Sequence, residues 1–215
     1  MAGSEPPRIY VLAGVNGAGK SSIGGAAFRD NGVEYFNPDE TAHKLIAENR
    51  GLSQAEANAA AWQQGNRLLK RAIDERLDFA FETTLGGNTI LRQLVEASTK
   101  GIEVHVWYAG LAGVELHIKR VQSRVRRGGH DIPEEAIHRR YERSRLNLIH
   151  LLPKLAALRV YDNSVDADPA TGREPKPVLV LHMERGKIVG PADLSQTPEW
   201  AKPIVAAAMK LNRQD

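Results

Sequence analysis

The stretch IYVLAGVNGAGKS, residues 9–21, decides the fold. Ile9 to Ala13 are an unbroken apolar run, the pattern of a strand buried on both faces of a parallel sheet. Gly14-Val15-Asn16-Gly17-Ala18-Gly19-Lys20-Ser21 then match G-x-x-x-x-G-K-[ST], and a helix is expected to follow. Glycines let backbone N–H groups close around phosphate oxygens, and the helix turns its N-terminus toward the same anion. Gly14, Asn16, Gly17, Ala18, Gly19, Lys20, Ser21 and Ser22 are therefore expected to cradle a nucleotide triphosphate. Lys20 would reach its β- and γ-phosphates, and the Ser21 hydroxyl would ligate Mg²⁺.

Working outward, apolar segments alternate with helical patterns. EYFN (34–37), LDFAFETT (77–84), EVHVWYAGL (103–111) and LRVYDN (158–163) read as strands. Residues 39–50, 54–76 and 88–99 read as helices, and a further helix begins near 113. In the long one, Ala61, Leu68 and Ala72 share a face, and Trp62, Leu69 and Ile73 lie beside it. The alternation predicts an α/β fold of the P-loop NTPase or kinase type, a mostly parallel sheet flanked by helices. PVLVLHMERGKIV (177–189) predicts a hairpin turning at Arg185-Gly186, and EWAKPIVAAAMKL a C-terminal helix interrupted or begun at Pro203. The whole chain is expected to be one domain. Residues 1–7 would be a flexible lead-in, about 113–152 a helical lid, and about 177–215 the C-terminal hairpin and helix.

Composition narrows the function. The chain has 215 residues, no cysteine and a net charge of +3. Disulfides, thiolate nucleophiles and Cys-based zinc sites are excluded, and so small a charge requires no nucleic-acid partner. No apolar run is long enough to span a bilayer, and MAGSEPPR lacks the core of a signal peptide, so a cytoplasmic location is expected. No LSGGQ-like or NKxD-like motif is present, and the length suits a compact kinase.

Two carboxylates follow strands. Ligands of parallel α/β sheets bind at the carboxyl ends of the strands. Asp39, in NPDE (37–40), is thus placed to accept the proton of an attacking hydroxyl. Alternatively, Asn37 or Asp39 caps a helix that opens at Pro38. Glu82, ending FAFETT, would be costly to bury unpartnered. It would bond a substrate hydroxyl or join the Mg²⁺ water shell, and Gly86-Gly87 leaves room beyond it.

The segment RVRRGGHDIPEEAIHRRY (124–141) carries five arginines around a Gly-Gly-His turn. Val114, Ile118, Val121 and Val125 stripe the helix before it, flanked by Arg120, Arg124 and Arg127. Ile137, Tyr141, Ser144, Leu148 and Leu151 stripe the helix after it, with Arg140 alongside. Asp131 and Glu134 resemble a capping box at its start. A helical lid with guanidinium groups suits phosphoryl transfer, and the spacing favours Arg127 and Arg140, then Arg124, over Arg126 and Arg139. A solvated hairpin or a nucleic-acid contact are the alternatives; the second lacks interleaved aromatics. His130 would order the turn or contact phosphate. Asn163, with Ser164, would approach the adenine or form an ordinary Asx turn.

Taken together, GVNGAGKSS, NPDE, FETTLGG, RRGGHDIPEEAIHRRYERS and YDNS resemble the zeta-toxin family of P-loop kinases over roughly residues 8–165. The resemblance implies ATP-dependent phosphorylation of a hydroxyl on a nucleotide sugar, UDP-N-acetylglucosamine in the best-known members. It also implies neutralisation by a small antitoxin protein. By position it makes Lys20 the phosphate-loop lysine, Asp39 the general base, Glu82 and Thr84 the substrate-side residues, and the turn arginines the γ-phosphate binders. Where the plasmid toxins carry E-G-T-L-R, this chain has Glu82-Thr83-Thr84-Leu85-Gly86, as in a chromosomal branch lacking the substrate-side arginine. Competing expectations are a polynucleotide 5′-hydroxyl kinase, an antibiotic O-phosphotransferase, and an ATP-binding regulatory module without transfer activity.

Overall fold

A computed structural model describes residues 5–24, 35–165 and 176–213. Its centre is the strand predicted first. β1 (Arg8–Ala13) lies between β3 (Phe79–Thr83) and β4 (Glu103–Gly110), parallel to both. Ile9, Val11, Leu12 and Ala13 are completely buried, which is why the run carries no polar alternation. β2 (Tyr35–Phe36) extends the sheet beyond β3, and β5 (Ala157–Asp162) extends it beyond β4, again in parallel. β6 (Val178–Glu184) and β7 (Lys187–Gly190) add an antiparallel edge, giving the order β2-β3-β1-β4-β5-β6-β7. The β3–β4 connection jumps over β1. That reversal opens a crevice at the carboxyl ends of β1, β3 and β4, where a ligand of such a sheet binds.

The helices confirm most of the sequence reading and refine their ends. In α1 (Pro38–Glu48) the cap is Asn37, whose side chain accepts from the amides of Asp39 at 2.9 Å and Glu40 at 3.4 Å. Pro38 occupies the first turn, where its missing N–H costs nothing. The 22-residue α2 (Gln54–Glu75) opens with a reciprocal capping box between Ser53 and Glu56 and stops at Arg76, in the left-handed conformation. α3 (Asn88–Thr99) follows β3. The helix expected after the glycine loop falls largely on residues 25–34, which lie outside the described residues, as does much of the 166–177 loop; a 3-10 turn, Lys20–Ser22, closes the described part of the loop.

α4 (Val114–Val125) and α5 (Glu134–Leu151) form the predicted arginine-bearing pair. Val121, Ile132 and Ile137 make a small core of their own, joined by Val15 of the glycine loop, so the pair is packed onto that loop. The Asp131–Glu134 capping box does not form: Pro133 is the cap, without a side-chain bond, and Asp131 instead accepts the amide of Ile132 at 2.8 Å. Proline fixes the backbone there and leaves the carboxylate serving the turn before it.

At the far edge the β6–β7 hairpin turns at Arg185-Gly186, both with positive φ, the geometry of a two-residue hairpin turn. α6 (Lys202–Asn212) starts with Pro203 in its first turn. Trp200, just before it, is buried against Tyr108 and donates its indole N–H to Asp162 at 3.1 Å. This fastens the C-terminal elements to the end of β5. Among the described residues no helix is long and apolar enough to cross a membrane.

Candidate active site

The glycine loop is held from three sides. Gly14 donates its amide to Thr83 at the end of β3, at 3.2 Å. On the α4 side, His117 bonds through Nδ1 to the carbonyl of Asn16 at 2.9 Å, so this imidazole is a neutral donor at that nitrogen. Burial pushes its pKa down to about 4. Beneath the loop, Asn163 donates from Nδ2 to the carbonyl of Ala18 at 2.9 Å and accepts from Arg120 Nη2 at its own carbonyl at 2.8 Å. Gly19 has φ 75°, and a Cβ there would stand 2.2 Å from Asn163 Nδ2. Glycine is required both by the left-handed backbone and by this close approach. Alternating left-handed glycines of this kind turn loop amides toward one point, which fits an anion.

Lys20 is 7% exposed. Its amine donates to Gly14 O at 2.9 Å and lies 3.3 Å from Glu82 Oε1, while Glu82 Oε2 accepts from the Tyr35 hydroxyl at 3.0 Å. The largely buried carboxylate of Glu82, 11% exposed, is thereby partnered on both oxygens, answering the cost that its sequence position posed. After Glu82 the chain bends sharply. Leu85, fully buried, has φ 53°, a strained value for leucine, and Asn147 Nδ2 holds its carbonyl at 2.8 Å. The bend leaves Thr84 in the wall of a cavity of about 440 Å³.

That cavity lies across the loop. Asn16, Asp39, Glu82, Thr84, His130 and Arg140 line it, so the structure brings five of the predicted site residues and the turn histidine to one space. Asp39, relieved of capping by Asn37, keeps a side chain 40% exposed. Its carboxylate faces Arg124 Nη1 at 3.7 Å and His130 Nε2 at 3.9 Å. Burial lowers the pKa of His130, with the Asp39 carboxylate working against that shift. Arg140 reaches from α5 across Gly86, where a Cβ would come 3.1 Å from Arg140 Cγ, and donates from Nη1 to Asn16 Oδ1 at 2.7 Å. The aliphatic stem of Arg140 thus packs against Gly86, and its guanidinium reaches on to Asn16.

Three expectations need correction in detail. Arg127 does not join the cavity: it is exposed and donates to Ser123 Oγ at 3.1 Å. Helical spacing misled here because α4 ends at Val125 and the chain turns away before Arg127. Asn163 is buried behind the loop as a brace. Trp62, expected beside Leu69 and Ile73 on the apolar side of α2, is 49% exposed and lines the cavity instead. The N-terminal half of α2 buries Ala57 and Ala61 against α1, so its inward face is narrow and turns Trp62 outward. Sequence reasoning gave no role to Tyr35, His117 or Arg120. The signal for Arg120 was present, one turn before Arg124 on the same flank; for the others only the fold reveals their partners. Ser21 is exposed in the 3-10 turn, and of the Ser22 side chain nothing is described.

A glycine-loop strand in this sheet order, with a lysine–carboxylate pair at the strand ends and an arginine-bearing helical pair over them, defines a P-loop kinase. The chain belongs to the Zeta toxin family, whose model matches residues 2–167; β6, β7 and α6 lie beyond that range. It is 33% identical over 135 residues to an uncharacterized protein of Haemophilus influenzae, covering 62% of this chain and 92% of that protein. Among solved structures, AvrRxo1-ORF1:-ORF2 with ATP superposes with a TM-score of 0.67 at 15% identity, over 94% of this chain. The chain spans 63% of that neighbour's length. A structure from the PezAT chromosomal toxin-antitoxin system of Streptococcus pneumoniae gives 0.54 at 16% identity, over 98% of this chain and 88% of that one.

Proposed function

We propose that this chain transfers the γ-phosphoryl group of Mg-ATP to a hydroxyl of a small acceptor, a nucleotide sugar of the UDP-N-acetylglucosamine type being the leading class. The observation that carries the reading is one cavity shared by the glycine loop, the Asp39 carboxylate and the Arg140 guanidinium. Gly14, Asn16, Gly17, Ala18, Gly19, Lys20, Ser21 and Ser22 would hold the triphosphate. The metal would be held by the Ser21 hydroxyl together with phosphate oxygens, and it would offset the charge developing on the transferred group. Lys20 is already neutralised by Glu82 and can lean from Gly14 O toward an arriving phosphate. The acceptor oxygen attacks the γ-phosphorus, its proton passes to Asp39, and the bond to the ADP leaving oxygen breaks. Arg140 stabilises the charge spread over the phosphoryl oxygens. Arg124 steadies the Asp39 carboxylate and stands next in line as an arginine for phosphate.

The names of both structural neighbours pair two components, which supports a small antitoxin protein as partner. Labelled ATP offered with a panel of nucleotide sugars, amino sugars, antibiotics and 5′-hydroxyl oligonucleotides tests the reading. Labelling of a nucleotide sugar is the expected result. Labelling of oligonucleotides alone moves the function to polynucleotide repair, and ATP binding without any transfer moves it to nucleotide sensing.

A further inference from the structure

Trp62, 49% exposed, lines the cavity, turned outward by the narrow buried face of α2. It projects from a well-capped helix and belongs to none of the described hydrophobic clusters, although Leu69 and Ile73 further along α2 are in the core. A half-exposed indole in a cavity wall offers a ligand a large apolar face together with a polar N–H. One turn along the same helix, Asn66 lines the same cavity. Its Oδ1 is shielded from solvent yet has no hydrogen-bond partner among the described residues. A buried carbonyl oxygen without a donor is costly, and a ligand N–H or O–H is the partner it lacks. Asp39 and Glu82, the groups proposed to act on the acceptor hydroxyl, line the same cavity.

We infer that Trp62 is the platform on which the acceptor's flat ring stacks, with Asn66 reading a polar group on that ring's edge. The ring is either the pyranose of a sugar or the base of a nucleotide sugar; both present a flat face to an aromatic side chain together with hydrogen-bonding groups at the edge. The spacing of the two residues suits this, since i and i+4 positions point along one face of a helix. The platform sets acceptor affinity and leaves the nucleotide wall untouched, because neither residue contacts the glycine loop, Lys20 or Arg140 in any described bond. The inference rests on the proposed kinase reading for its choice of ligand but is read by binding as well as by turnover.

The experiment compares wild type with Trp62→Ala, Trp62→Phe and Asn66→Leu. Binding of N-acetylglucosamine, UDP-N-acetylglucosamine, UDP and ATP is measured by calorimetry, and transfer kinetics are measured with whichever acceptor is labelled. The expected result is acceptor binding about tenfold or more weaker in Trp62→Ala, largely restored in Trp62→Phe, with ATP binding within about twofold of wild type. Where transfer occurs, the loss falls on KM and not on kcat. A loss shared by the sugar alone assigns the stacked ring to the pyranose; a loss shared by UDP assigns it to the base. Unchanged acceptor affinity in Trp62→Ala overturns the platform even if transfer is robust, and so does a wild type that binds none of the panel. Acceptor binding that depends on Trp62 without any phosphoryl transfer upholds the platform and overturns the kinase reading. Because Trp62 is half-exposed, the variant folds; an unchanged melting temperature checks that.

Discussion

The two walls of the cavity are built differently. On the wall proposed for the nucleotide, here the nucleotide wall, Asn16, Lys20, His117 and Asn163 are all buried, and each has a hydrogen-bond partner fixed by the fold. On the wall proposed for the acceptor, here the acceptor wall, Asp39 and Trp62 are half-exposed, and the contacts of Asp39 with Arg124 and His130 are long, at 3.7 and 3.9 Å. The first wall is preorganised around one short segment, braced by α4 and by the residue after β5. The second is assembled from α1, α2, the bend after β3 and the α4–α5 turn, and it has room to adjust. The nucleotide wall suits an invariant anion, and the acceptor wall suits a ligand whose identity can vary.

Substitutions on the preorganised nucleotide wall are therefore expected to cost stability as well as activity. Gly19→Ala is the most damaging: its methyl collides with Asn163 and its backbone is strained, and loss of measurable ATP binding is expected in calorimetry. Glu82→Ala leaves the buried Lys20 amine without its carboxylate. Removing one partner of a buried pair costs about 3 kcal/mol or more, read by denaturant unfolding. Arg140→Met is expected to lower transfer by roughly 10²–10³-fold, the scale for losing one preorganised transition-state donor. Arg127→Met is the matched control on the same lid and is expected to stay within about twofold of wild type; a large loss there would show that the lid closes further than the present arrangement.

A smaller effect separates the walls by pH. His117 is neutral in the fold with a pKa of about 4, against about 6.5 when unfolded. Its contribution to stability is therefore complete above pH 6.5. As pH falls toward 4 the unfolded chain takes up a proton that the folded chain refuses, so stability declines by up to about 3 kcal/mol. His117→Gln removes this part of the slope, as measured by unfolding midpoints across that range.

The same contrast explains what could be read from the sequence. Ile9–Ala13 and the glycine loop are contiguous, so periodicity and motif together foretold the central strand, the sheet type and the position of the loop beside the sheet's carboxyl end. The arginine-bearing helical pair was legible because Val114, Ile118, Val121 and Val125 keep one face. Legibility failed where the helix stopped: Arg127 lies past the end of α4, and no spacing rule announces that end. It failed also where partners are distant in sequence. Asn163 braces Ala18 across 145 positions, and Tyr35 supports Glu82 across 47. Trp62 shows the limit of pattern on a helix with a narrow buried face, where one residue's rotation decides between core and cavity.

The central claim is that the Asp39 carboxylate does chemistry on the acceptor while the glycine loop binds the nucleotide independently. Asp39→Asn, which keeps size and hydrogen bonding but removes the base, tests it in one protein: ATP affinity and transfer of labelled phosphate are measured side by side. The account predicts ATP binding within about twofold of wild type and transfer reduced by roughly 10²–10⁴-fold. Transfer within tenfold of wild type, or ATP binding lost together with transfer, would contradict it.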